Sequence, residues 1–170
     1  MKALLASLAL TTPTFAEDAM PTTPDWRFEA DTVMGGVSTG RIARETVAGR
    51  EATRLTGDVS LENDGGFVQM NFDVTDDVSG ASGIAFDVYG NGETYELRAR
   101  TDVLEKPWQS FRASFAAPAA WTTVEIAFDD LEPHRTDATF DKARLKRIGI
   151  VAIGRAFAVD VAVSEVRFLP

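Results

Sequence analysis

The feature that most constrains this chain is a period-two alternation of apolar and polar residues that recurs from the middle of the sequence to its end. Val68, Met70, Phe72 and Val74 alternate with Gln69, Asn71 and Asp73. Ile84, Phe86 and Val88 alternate with Ala85, Asp87 and Tyr89. The same beat runs through Tyr95, Leu97 and Ala99, through Phe111, Ala113 and Phe115, through Val124, Ile126 and Phe128, and through Val159, Val161 and Val163. Side chains two apart lie on one face of a strand, so each run buries one face and wets the other. Turn formers separate the runs: Asn63-Asp64-Gly65-Gly66, Ser79-Gly80 and Gly90-Asn91-Gly92 favour positive φ or side-chain-to-backbone turns. The spacing predicts an all-β, antiparallel sandwich. One helical stretch is expected, a short piece around Asp141 to Leu145.

The chain has 170 residues, enough for one domain with its own core and too short for two. It contains no cysteine, which excludes disulfides, thiol nucleophiles, thiolate metal sites and a lipid anchor on cysteine. Stability must come from packing alone. Net charge is −9, and an acidic surface repels phosphate backbones and anionic lipid, so no nucleic-acid partner is expected.

Residues 1–16 carry the marks of a secretory signal peptide. Lys2 supplies the positive start, Ala3 to Leu10 an apolar stretch, Pro13 a break, and Thr14-Phe15-Ala16 small residues at the two positions a signal peptidase reads. The apolar stretch falls short of the ~20 residues that span a bilayer. A periplasmic or secreted protein is expected, with no membrane span after leader removal. Residues 17–25 hold Pro21, Thr22, Thr23 and Pro24 and predict a flexible lead-in. The domain then runs from 26 to 170.

Several segments, in order, resemble one family. Trp26 followed by Asp31-Thr32-Val33-Met34-Gly35-Gly36-Val37-Ser38 is similar to the opening motif of the complex I intermediate-associated protein 30 family. Leu61-Glu62-Asn63-Asp64-Gly65-Gly66-Phe67 resembles its second motif, and Gly90-Asn91-Gly92-Glu93-Thr94-Tyr95 its third. Trp108-Gln109-Ser110-Phe111, Ile148-Gly149-Ile150 and the closing Phe157 to Phe168 strand resemble the later segments of the family. The resemblance spans nearly the whole mature chain. It implies a jelly-roll, galactose-binding-like sandwich and a non-enzymatic role, since mitochondrial members help assemble respiratory complex I. A respiratory or envelope complex is thus the implied partner.

Two surfaces stand out as candidate contacts. The first is the Asp31–Ser38 loop. Gly35 and Gly36 permit left-handed backbone and close approach of another chain. Asp31 and Ser38 can bond backbone groups in a turn, and Met34 is a flexible apolar knob. Asn63, in the second motif, is a further contact candidate. The same loop residues would equally serve to cap the core. The second surface is an outward face that would hold Arg98, Arg100, Arg112 and Trp108, with Tyr89, Asp87 and Glu96 on the same side if their strands are neighbours. Arginine forks suit carboxylates and aromatic rings suit sugars or guanidinium stacking. The face would therefore suit an acidic peptide segment or a glycan. Alternatively Arg98 and Arg100 form a cross-strand charge ladder with Glu96, Asp87 and Glu125.

Catalytic and cofactor signatures are weak. His134 is the only histidine and lies beside Pro133 in an expected loop, with no Gly-x-Ser-x-Gly nucleophile motif. Gly90-Asn91-Gly92 is too short for a dinucleotide fingerprint. Glu62, Asp64, Asp76 and Asp77 offer turn carboxylates without calcium-loop spacing. No cofactor and no metal is expected. The expected function is a binding module of assembly-factor or chaperone-like type, with a carbohydrate-binding module as the alternative. A hydrolase built on paired carboxylates is a third reading, because their separation is set only in three dimensions.

Overall fold

The computed structural model describes residues 19–170. The leader, residues 1–16, lies outside them. The strands are β1 (Met20–Pro21), β2 (Arg27–Ala30), β3 (Thr39–Val47), β4 (Arg50–Val59), β5 (Phe67–Asp73), β6 (Gly83–Gly90), β7 (Thr94–Thr101), β8 (Ser110–Ala116), β9 (Thr122–Ala127), β10 (Glu132–His134), β11 (Leu145–Ile153) and β12 (Phe157–Leu169). The helical elements among the described residues are four single 3-10 turns, at Asp31–Met34, Glu62–Asp64, Phe128–Asp130 and Lys142–Arg144. The last falls within the Asp141–Leu145 stretch expected to be helical, and Asp141 caps it by accepting the Ala143 N–H at 3.0 Å.

Two antiparallel sheets face each other. The first has the order β3-β4-β12-β6-β9, with β1 beside the far end of β12. The second has the order β10-β8-β7-β11-β5-β2. Chain neighbours such as β6 and β7 thus sit in different sheets. The alternating residues fill the space between: Met70 and Phe72, Ile84, Phe86 and Val88, Tyr95 and Leu97, Phe111 and Val161 are all buried. Each such side chain contributes roughly 1.5–3 kcal/mol by leaving water. In β12 the inward set changes parity, from Val159, Val161 and Val163 to Val166 and Phe168. A bulge between Ser164 and Arg167, with Glu165 at φ 51°, absorbs the extra residue and keeps both halves facing the core.

Two local differences from the sequence reading concern edges. Met20 and Pro21, within the expected flexible lead-in, pair with Phe168 and Arg167 of β12, and the Thr22 N–H donates to the Val166 carbonyl at 3.0 Å. Bonds to a strand partner hold this segment where composition alone suggests freedom. Pro133 and His134, expected in a loop, form β10 against Phe111 and Ser110. Proline is tolerated there because β10 is an edge strand.

Candidate functional site

The Asp31–Ser38 loop divides into a buried tie and an exposed lip. Asp31 is fully buried. Its carboxylate accepts the Ser38 hydroxyl at 2.5 Å, the Ser38 N–H at 3.0 Å, and the Gly66 and Phe67 N–H groups at 2.6 and 3.3 Å. Ser38 Oγ also accepts the Ser60 N–H at 2.9 Å. One side chain thus stitches the turn before β3 to the turn before β5. Burial pushes the Asp31 carboxyl up, but the Ser38 hydroxyl and the three backbone N–H groups outweigh it and hold it below the ordinary aspartate value. The glycines are required by this knot. A side chain at Gly36 would collide with the Asp31 carboxyl group, and Gly35 closes the 3-10 turn in the left-handed region at φ 90°.

Between the two ends of the knot, Val33 and Met34 project outward. They are 68% and 61% exposed, and Leu61 of the neighbouring turn is 51% exposed. These three form one wall of a cleft of about 540 Å³ on the outer face of the second sheet. Trp108, 49% exposed, lines the cleft with Pro107 and Gln109. The floor is the outward row of β2, β5, β11 and β7: Glu29, Gln69, Asn71, Gly149, Val151 and Arg98. Gly149 pairs with Asn71 on one side and Arg98 on the other. It leaves the row open at its centre.

The arginines of this face have distinct duties. Arg100 donates to the carbonyls of Leu104, Lys106 and Pro107 at 3.3, 2.9 and 3.1 Å, and to that of Gln109. It therefore pins the loop that carries Trp108. Burial, and then the neighbouring Arg147, lower its pKa below the usual guanidinium range. Arg98 and Arg112 face each other across β7 and β8 and both reach Glu96, at 2.8 and 3.3 Å. His134 and Arg135 line the same end of the cleft. Burial, then the Arg112, Arg98 and Arg135 charges, push the His134 imidazole below its ordinary value. Ser110 pairs with His134 across β8 and β10, yet its buried hydroxyl has no hydrogen-bond partner.

The expected contact residues therefore separate. Met34, Arg98, Arg100 and Trp108 line one cleft, and Arg112 stands beside it through Glu96. Asp31, Gly36 and Ser38 are its buried support. Gly35 and Asn63 are exposed turn residues, Asn63 with a left-handed φ of 57°. Tyr89 is elsewhere: β6 belongs to the first sheet, so Tyr89 and Asp87 lie on the opposite outer face. The condition that would have grouped them with Arg98, neighbouring strands, is not met. Tyr89 packs on Trp121 with ring centroids 5.8 Å apart, and Asp87 pairs with Arg50 at 2.7 Å. The expected cross-strand ladder of Arg98 and Arg100 does not form: Arg98 pairs with Glu96 of its own strand, Arg100 bonds carbonyls, and Asp87 and Glu125 are on the other sheet. Within the expected loop the sequence singled out Met34 and not Val33, and Leu61, Gly149 and Arg135 were missed as contacts. A glycine inside the apolar run Ile148-Gly149-Ile150 was the one available signal, since glycine in a strand marks close approach of a ligand or backbone.

Elsewhere, Asp77 accepts the Ser79 N–H at 3.0 Å and Asp76 accepts the Thr22 hydroxyl at 3.3 Å, as turn carboxylates do. Among the described residues no three histidine or carboxylate groups gather around a common point. Among those residues no helix is long and apolar enough to cross a membrane.

Comparison with known proteins bears on both family and fold. The sequence model of the family described as complex I intermediate-associated protein 30 matches residues 14–161. No curated protein matches the chain by sequence. Among solved structures, a family 11 carbohydrate-binding module from Clostridium thermocellum, in complex with a β-1,3-1,4-mixed-linked tetrasaccharide, superposes with a TM-score of 0.72 at 13% identity, over 89% of this chain and 95% of that one. A family 30 carbohydrate-binding module superposes at 0.60 with 17% identity, over 87% and 92% of the two chains. An exo-β-agarase matches at 0.58 with 11% identity, over 88% of this chain but only 24% of the enzyme. At these identities the likeness concerns the fold, which is a jelly-roll, galactose-binding-like sandwich.

Proposed function

This chain belongs to the complex I intermediate-associated protein 30 family, and from that premise we propose that it is a non-enzymatic, assembly-factor-like binding module that holds a polypeptide segment of its partner in the cleft on the second sheet. The observation that carries this reading is the apolar lip. Val33, Met34 and Leu61 stand exposed together along a floor of hydrogen-bonding groups, Glu29, Gln69, Asn71 and Arg98. A peptide offers both of the matching surfaces, aliphatic side chains and a backbone that needs donors and acceptors. Methionine suits a surface that must fit more than one sequence. Ser110 and His134, the one hydroxyl and the one imidazole that line the cleft, make no hydrogen bond to each other.

The partner is a respiratory or envelope complex, in keeping with the family. Affinity capture with crosslinking from envelope extracts tests this. The wild-type chain should recover a defined membrane-complex subunit, and Gly149→Val, which fills the floor, should not. Equal recovery by both proteins would remove the cleft from the account.

A second reading, a carbohydrate-binding module, is favoured by one observation: Trp108 presents a half-exposed indole over polar groups, which is how proteins stack sugars. It is the sole exposed indole among the described residues, since Trp26 packs edge-on against Phe72 and Trp121 against Tyr89. Calorimetric titration with neutral and acidic glycans decides it; absence of heat across both classes removes the reading.

Export is proposed on the leader-like sequence of residues 1–16. Mass spectrometry of the protein from envelope or culture fluid should find Glu17 at the N-terminus. An uncleaved chain confined to the cytoplasm would contradict export.

A further inference from the structure

The end of the cleft bounded by β8 and β10 carries more guanidinium than its carboxylates neutralise. The cleft lining holds four arginines, Arg98, Arg100, Arg135 and Arg147, against two carboxylates, Glu29 and Asp64, in a chain whose net charge is −9. Glu96 is divided between Arg98 and Arg112. Arg147 takes Asp73 at 3.0 Å, which Arg27 also takes at 2.8 Å. Among the described residues, Arg100 and Arg135 make no ion pair. Arg100 spends its donors on carbonyls, whereas Arg135 is exposed and its guanidinium makes no hydrogen bond among the described residues. Glu132, across from Arg112 on the edge strand, is exposed and makes no ion pair among the described residues. It does not line the cleft.

A second, independent observation lies at the same end. Ser110 is 3% exposed, points to the outer face by strand parity, lines the cleft, and its hydroxyl has no partner. A buried hydroxyl without a bond costs free energy that an incoming acceptor relieves. His134, its cross-strand neighbour, carries a ring N–H in either protonation state and can donate it. The Ser110 hydroxyl and the Arg135 guanidinium, without an acceptor among the described residues, thus stand at the same end of the cleft as the Arg98–Glu96 pair.

We propose that this end of the cleft is a carboxylate-binding subsite, in which Arg98 and Arg135 supply charge and Ser110 and His134 supply hydrogen bonds, and that it receives a glutamate or aspartate side chain of the bound polypeptide. This rests on the peptide-binding reading above. The planar guanidinium fork matches a carboxylate, and partial shelter from water strengthens the pairing. Ser110 and His134 select for an oxygen acceptor over an apolar residue at this position.

The test uses the mature chain and an array of hexapeptides with randomised flanks and glutamate, glutamine or lysine at one fixed position. The strongest binders are remeasured by calorimetry, with trigalacturonate in parallel. Glutamate peptides should bind about tenfold or more tighter than their glutamine counterparts, with lysine peptides weakest. Arg135→Gln and Ser110→Ala should each erase most of that preference. Ser110→Ala removes no bond that the chain makes, so thermal stability should hold. Arg44→Gln, an equal charge change on β3, should leave the preference intact. Glutamate and glutamine peptides binding alike would overturn the subsite and leave the peptide reading standing. Trigalacturonate binding that Arg135→Gln abolishes, with no peptide bound, would overturn the peptide occupant. Absence of binding by every probe would overturn both.

Discussion

On the outer face of the first sheet, Trp121, Tyr89 and Arg50 close over Val47, Ala52 and Ala162. The indole N–H donates to the Val47 carbonyl at 3.0 Å, and the Arg50 guanidinium lies 5.1 Å from the centre of the Trp121 ring. Asp87 beneath is bonded to Arg50 and to the Thr123 hydroxyl at 2.7 Å each. On the outer face of the second sheet, Trp108, Arg98 and Arg135 surround a cleft over Gly149. The ingredients are the same: indole, guanidinium and carboxylate on a strand surface. In one place they satisfy one another; in the other Arg98 is held by Glu96 while Trp108 and Arg135 stand exposed. What separates them is geometry. Small side chains on the first face, Ala52 and Ala162, let Trp121 lie down and seal it. On the second face Gly149 opens the floor, while Arg100 holds the Trp108 loop upright by its carbonyls.

Each half of this comparison can be broken separately. The largest effect is expected at the knot beneath the cleft lip. Asp31→Ala leaves buried N–H groups unpaired and should cost about 3 kcal/mol or more in urea unfolding, with hydrogen exchange rising first around Val33 and Met34. Its acid sensitivity has a defined sign. The folded-state pKa of Asp31 is lowered, so its contribution is complete above about pH 5 and is lost as pH falls through the folded value. Replacing it by asparagine should flatten the stability profile between about pH 5 and pH 2. Next in size is Trp121→Ala, which should cost about 2–3 kcal/mol of stability and leave ligand binding unchanged. Trp108→Ala should do the reverse, with stability within about 1 kcal/mol of wild type and binding weakened about tenfold. If Trp121→Ala damages binding as much as Trp108→Ala, the two faces are not distinct in use. Gly149→Val, like Trp108→Ala, should have little effect on folding. A Cβ there meets Gln69 and Asn71 at 3.5 and 3.6 Å, an ordinary contact. Thermal stability should stay within about 1 kcal/mol, while the filled floor blocks the ligand.

The core and the sheet faces were legible because alternation is local. Val68 to Val74 and Tyr95 to Ala99 declare their inward residues without any knowledge of their partners. Strand neighbours were not legible. Asp87 and Tyr89 follow a pattern that would place them beside Arg98, yet the chain crosses to the other sheet between β6 and β7, and nothing local to either strand records the crossing. The site was half legible for a related reason. Asp31, Gly35, Gly36 and Ser38 form a recognisable motif, but its most distinctive members are those that build the turn. The residues it holds out to solvent, Val33 and Met34, acquire meaning only when Leu61 comes beside them from a distant segment. Arg100 shows the same limit. Its side chain has outward parity, as the alternation implies, but its duty is to pin the Trp108 loop, and only the positions of four carbonyls reveal that.

Contact with a partner is assigned to the second sheet and not the first. A photo-crosslinking residue placed at Met34, on the lip of the cleft, and in a second protein at Glu125, exposed on the outer face of the first sheet, tests it directly in envelope extracts. One discrete adduct is expected from position 34, lost when Gly149→Val is added, with no matching adduct from position 125. An adduct of equal yield from position 125, or one from position 34 that survives Gly149→Val, would contradict that assignment.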